Sequence, residues 1–145
     1  MRLIPIAIGL LLFAACNVEP VAIEYNHDEC AYCKMKISDV RFGAEMVTKK
    51  GKIFKFDSAE CLIRSYNENS DQQYAHVIVS DYSRPHTLID ALPASFLISD
   101  QIPSPMGGNL SAYEDADNAN KILKQKGGEL FTFDQIVAKY KLQYK

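Results

Sequence analysis

The chain has 145 residues, 48% of them hydrophobic, and 16 basic against 18 acidic side chains give a net charge of −2. That is the make-up of one ordinary globular domain, long enough to bury a core without cross-links. Its basic residues are scattered instead of forming a patch, which excludes nucleic-acid binding as the main role.

The first fifteen residues hold one charge, Arg2, followed by an apolar run from Leu3 to Ala15 that ends in Leu12-Phe13-Ala14-Ala15-Cys16. Such a run is too short to span a bilayer, and small residues precede the cysteine, so residues 1–15 read as a lipoprotein signal peptide. Cleavage before Cys16 predicts a chain acylated there and anchored outside the cytoplasmic membrane, in the cell envelope. Residues 16–26, with Pro20 and no sustained periodicity, read as a membrane tether. The remaining residues, 27–145, are expected to form the folded domain.

That domain opens on His27-Asp28-Glu29-Cys30-Ala31-Tyr32-Cys33-Lys34-Met35, with two thiols and a thioether inside six residues. Soft sulfur donors suit Cu(I), and a methionine argues for copper over Zn(II). If residues 33–35 are extended, side-chain alternation puts the Cys33 and Met35 sulfurs on one face. A Cys-x-x-Cys pair is also compatible with a structural zinc module built from Cys30, Cys33, Cys61 and His27, with a disulfide, and, less well because no strand precedes Cys30, with a thiol-disulfide oxidoreductase using Cys30 and Cys33. A c-type haem is excluded because Lys34, not histidine, follows Cys33.

Farther on, Phe42, Ala44 and Met46 alternate with polar or small residues, and Lys49-Lys50-Gly51 predicts a hairpin turn into Ile53, Phe54 and Phe56. Asp57 or Ser58 is expected to cap a helix to about Asn67, with Cys61 on its apolar face, and Tyr74 to Ser80 reads as a strand. The second half follows the same plan. Ser95 to Ser99 and Asn109 to Tyr113 read as strands flanking the loop Pro103-Ser104-Pro105-Met106-Gly107-Gly108. A helix from Glu114 to Lys126 stops at Gly127-Gly128, a strand runs from Glu129 to Phe133, and Asp134 caps a last helix.

Phe56-Asp57-Ser58-Ala59-Glu60 matches Tyr113-Glu114-Asp115-Ala116-Asp117 by residue type at a constant offset. The expected fold is therefore α+β, with two pseudo-repeated ββαβ units, about residues 27–82 and 93–145, packed as one compact domain.

Taken together, the Cys16 lipobox, Cys30-Ala31-Tyr32-Cys33-Lys34-Met35, Phe56-Asp57-Ser58-Ala59-Glu60-Cys61, Ser104-Pro105-Met106-Gly107-Gly108 and Gly127-Gly128 resemble the NosL family. These are lipoprotein accessory proteins of nitrous oxide reductase that act as copper chaperones. The family pattern usually has glycine where this chain has Lys34. The resemblance implies two ββαβ units, in a topology likened to organomercurial lyase, and binding of Cu(I) without catalysis. It also implies copper-site assembly proteins and nitrous oxide reductase as partners. Candidate ligands are Cys33, Met35, Cys30, Met106 and His27, with Asp57 and Cys61 as further possibilities and His76 and His86 as weaker ones.

Overall fold

The computed structural model describes residues 18–143; the expected signal peptide and Cys16 lie outside them. Both expected ββαβ units are present. In the first, β1 (Ala44–Thr48) pairs with β2 (Ile53–Phe56) across the lysine-glycine turn, α1 (Ala59–Glu68) follows, and β3 (Tyr74–Ser80) returns to the other side of β1. A three-residue strand not anticipated from sequence, β4 (Leu88–Asp90), extends this sheet to the order β2-β1-β3-β4. In the second unit β5 (Ser95–Ile98) is flanked by β6 (Leu110–Tyr113) and β7 (Glu129–Phe131), with α2 (Ala116–Lys126) between the latter two. All named strand pairs are antiparallel.

Strand alternation sorts the side chains into layers. Ala44, Met46, Phe56, Val77 and Val79 face inward from the four-stranded sheet and meet Phe96, Leu110 and Ala112 of the three-stranded sheet in one shared core. α1 and α3 (Phe133–Gln143) also bury side chains there, among them Leu62, Ile63, Phe133 and Ile136. The opposite face of the smaller sheet presents Leu97, Tyr113 and Leu130 to Ala119, Ile122 and Leu123 of α2. Phe42, expected to share a face with Ala44 and Met46, instead sits in the turn before β1 and packs in this second cluster.

The helix starts follow from local chemistry. Ser58 caps α1, its Oγ accepting from Cys61 N at 3.5 Å, and Asp115 caps α2, accepting from Asp117 N at 2.8 Å. These two caps stand 57 residues apart and keep the offset seen in the sequence. α3 departs from expectation: its cap is Thr132, whose Oγ1 accepts from Gln135 N while Gln135 Oε1 accepts from Thr132 N, and Asp134 lies in the first turn. This reciprocal pair ends β7 at Phe131, short of the expected Phe133.

At the far end of α2, Gly127 has φ 69° and Gly128 φ 117°. A Cβ on Gly128 would stand 2.1 Å from the Ile98 carbonyl oxygen, so the entry into β7 requires glycine. Gly128→Ala is expected to lower stability by roughly 3 kcal/mol, read as a drop in thermal midpoint. Gly51→Ala, at φ 82° in open space, should cost only about 1 kcal/mol.

Candidate metal centre

The loop carrying Cys30 and Cys33 is closed on itself and fastened to the edge of the larger sheet. Cys30 N donates to Met35 O at 2.8 Å, Lys34 N to Cys30 O at 3.0 Å, and Glu29 and Lys36 form an antiparallel bridge. Ala31 N donates to Lys55 O at 2.8 Å, using the free edge of β2. Tyr32 Oη reaches Glu68 Oε1 on α1 at 2.7 Å. The chain reverses at Lys34, which has φ 65°. This is a conformation that glycine adopts freely and that costs lysine about 1 kcal/mol. The Lys34 ammonium donates to Ala31 O at 2.7 Å across the turn. The loop thus keeps a glycine-like geometry although lysine occupies the position.

This reversal overturns one expectation. Residues 33–35 are not extended, so alternation does not align the Cys33 and Met35 sulfurs, and the Met35 side chain is 46% exposed. The partner the loop does meet is Cys61, which the sequence placed on the apolar face of α1. The sulfurs of Cys30, Cys33 and Cys61 all lie within 4.8 Å of one another. Two sulfurs bonded to one ion at about 2.3 Å can stand at most about 4.6 Å apart, so the trio needs little adjustment to close on a single metal. All three thiols are free; Cys30 and Cys61 are buried, and Cys33 is partly exposed.

The electrostatics of the trio are uneven. The Cys61 thiol donates to Cys30, and backbone N–H groups of Asp57, Cys33 and Tyr32 do the same, holding the Cys30 thiol at about 5 against the opposing effect of burial. Cys61, as the donor and fully desolvated, is pushed well above the usual thiol range. Burial raises Cys33, partly countered by the Met35 N–H. Cys30 lies beside the start of α1, where the helix dipole also favours an anion. Cys30 is therefore the member of the trio most ready to ionise, and Cys33 and Cys61 the members that hold their protons.

Around this trio, Asp57 is buried beside Cys30 with Oδ1 unpaired, and desolvation together with the nearby Cys30 charge raises its carboxyl. His27 is exposed on the preceding turn and does not belong to the three-sulfur group. His76 bonds the Val18 carbonyl and His86 stacks edge-on against Tyr25.

Met106 is partly buried and, like Cys33, packs against the core cluster that contains Cys30 and Cys61. Its loop is fastened to the first turn of α1 by the residue next to Cys61. Buried Glu60 accepts from Ser104 Oγ and, at 3.4 Å, from Leu110 N, while Ser104 Oγ accepts from Asn109 N at 2.8 Å. Gly108 fits closely here, since a Cβ would stand 2.6 Å from Tyr140 Oη and 2.9 Å from Glu60 Oε1.

Three convergent free thiols, on a frame of two ββαβ units, define a class: a small α+β domain whose site suits a soft metal ion. Comparison with known proteins agrees. The NosL family model matches residues 20–141, and the chain belongs to the NosL family. It is 29% identical over 128 residues to the copper-binding lipoprotein NosL of Stutzerimonas stutzeri, a match covering 83% of this chain and 67% of that protein. The crystal structure of the copper chaperone NosL from Shewanella denitrificans superposes with a TM-score of 0.70 at 26% identity, covering 81% of this chain and 95% of that one.

Two outcomes are expected. Ultraviolet thiolate absorbance of the reduced, metal-free protein should show one thiolate titrating near pH 5; Cys30→Ser should abolish that step, and Cys61→Ala should move it upward by removing the donor. Lys34→Gly should raise the thermal midpoint modestly, because relief of the positive φ outweighs one exposed hydrogen bond.

Proposed function

We propose that this protein is a Cu(I)-binding metallochaperone of the cell envelope, anchored through Cys16, that delivers copper for assembly of the copper sites of nitrous oxide reductase. The observation that carries this reading is the convergence of Cys30, Cys33 and Cys61 in a family whose relatives are named as copper-binding protein and copper chaperone. It is a binding and transfer protein, not an enzyme. A structural zinc module is less well supported, because its fourth expected ligand, His27, is outside the group of sulfurs. An oxidoreductase is disfavoured by the burial of Cys30, whose thiolate cannot reach a disulfide in another protein.

The graded exposure of the sulfurs gives a direction for loading and release. Cys33 is partly exposed and Met35 lies at the surface, so an incoming ion meets these donors first and then exchanges inward to Cys30 and Cys61. Release to a client runs the same path backward, each new bond forming before an old one breaks. A thioether from Met106, held close to α1 through Ser104 and Glu60, serves as a neutral and easily displaced further donor. Client specificity then depends on what can approach Cys33 and Met35.

Titration of the reduced protein under anaerobic conditions, against a chromophoric Cu(I) chelator, tests the reading. One Cu(I) should bind per chain, in preference to Zn(II). Cys33→Ser and Cys61→Ser should each weaken it by tenfold or more, a loss of at least about 1.4 kcal/mol. Met35→Ala and Met106→Ala are expected to weaken binding less and to speed transfer to the chelator. Tighter binding of Zn(II) than of Cu(I), or unchanged copper affinity in Cys61→Ser, would sink the proposal.

A further inference from the structure

The segment before the sulfur loop is not free of the domain; it lies across one face of the four-stranded sheet. His76 on β3 bonds the Val18 carbonyl through Nε2 at 2.9 Å. Glu45 on β1, fully buried, accepts from Val21 N at 3.0 Å, and Lys55 on β2 donates to Ala22 O at 2.8 Å. Lys55 also pairs with Asp28 at 2.6 Å, and Ile23 then enters the core with 8% of its surface exposed. In register, Glu45 faces Lys55 and Val47 faces His76, so these anchors share one sheet face. Residues 18–23 therefore run as a strap from β3 over β1 to β2.

The position of this strap in the layers matters. The other face of the same sheet lines the shared core, beyond which come the smaller sheet and then α2. Strap and α2 thus cover the outward faces of the two sheets, which share the core between them and touch at the Asp81–Ala112 bridge. Cys16, the expected acylation site, precedes Val18 by two residues, which span at most about 7 Å even when fully extended. Two of the large hydrophobic side chains that remain exposed flank the strap: Val21 within it, 50% exposed, and Leu92, 60% exposed, which shares a groove with His76 and Lys49. The charged groups here are mixed in sign, Lys49 beside Glu19 and Asp90, so apolar contact and the anchor dominate over charge.

We propose that the strap-bearing face of the four-stranded sheet lies directly against the lipid headgroups of the bilayer that holds the acyl chains, with α2 pointing away from it. The proposal rests on the lipid-anchor part of the functional reading. Val21 and Leu92 then sit at the headgroup boundary, where single apolar side chains are readily accommodated. The sulfur loop, joined to the free edge of β2 through Ala31, occupies the rim of the membrane-facing layer. Copper is thereby exchanged close to the membrane plane, with partners held at the same surface.

The chain contains no tryptophan, so single tryptophans report position cleanly. Acylated protein carrying Glu19→Trp, Leu92→Trp or Asp117→Trp is reconstituted in vesicles of phosphatidylethanolamine and phosphatidylglycerol doped with a dansyl-headgroup lipid. Mass spectrometry of each sample establishes acylation at Cys16. Energy transfer to the dansyl lipid should be several-fold stronger from positions 19 and 92 than from position 117 on α2. A flexible Gly-Ser insertion between Asn17 and Val18 should remove most of that difference. Equal transfer from all three positions in fully acylated protein overturns the apposition and leaves the anchor standing. Absence of acyl chains on Cys16 overturns the anchor reading, and the apposition with it.

Discussion

The first turn of α1 is buried on every side, and the rest of the molecule is arranged around that constraint. Five consecutive side chains, Ala59 to Ile63, are inaccessible, where a helix lying on a sheet would hide one stripe. Complete burial is possible because the two ββαβ units close on this turn from opposite directions. The first unit supplies β1 and β2, and the second supplies β6, α3 and the Met106 loop. Glu60, a residue that rarely tolerates burial, is accommodated by Ser104 and Leu110 and by its place at a helix N-terminus. Its neighbour Cys61 is thereby forced into the wall of the thiol pocket. One turn of helix joins the two halves and completes the sulfur site.

What could be read from the sequence was whatever depends on near neighbours. The cap at Ser58, one of two candidates, the glycine stop at Gly127-Gly128 and the lysine-glycine hairpin are encoded within a few residues and appear as expected, whereas α2 begins at Ala116 behind its cap Asp115 and not at Glu114. The capping box of α3 is equally local, but it is Thr132 and Gln135 that form it, and not the Asp134 expected as cap. β4, with three residues, is too short to show a period.

The site was legible in part. Cys30 and Cys33 announce themselves by spacing, whereas a cysteine on the apolar face of a helix looks like a small core residue. Only the docking of the loop on β2, thirty residues from Cys61 in sequence, decides which it is. Alternation misled at Met35 because it assumes uniform backbone, and the left-handed Lys34 breaks that assumption. Met106 had no period to place it; the tie between Ser104 and Glu60, too distant in sequence to be inferred, brings its loop beside α1.

The divided origin of the sulfur cluster has a consequence for the nascent chain. Two of its members lie in one short loop, but the third arrives only when β2 has paired with β1, α1 has formed and the loop has closed on the β2 edge. In an unfolded polypeptide only Cys30, Cys33 and Met35 are held near one another by the chain itself. The finished polypeptide presents three thiols within 4.8 Å of one another, one of them, Cys30, with its pKa lowered by its neighbours. The convergent three-thiol arrangement is thus a product of folding, and only its Cys30–Cys33 part exists before the sheet and α1 have formed.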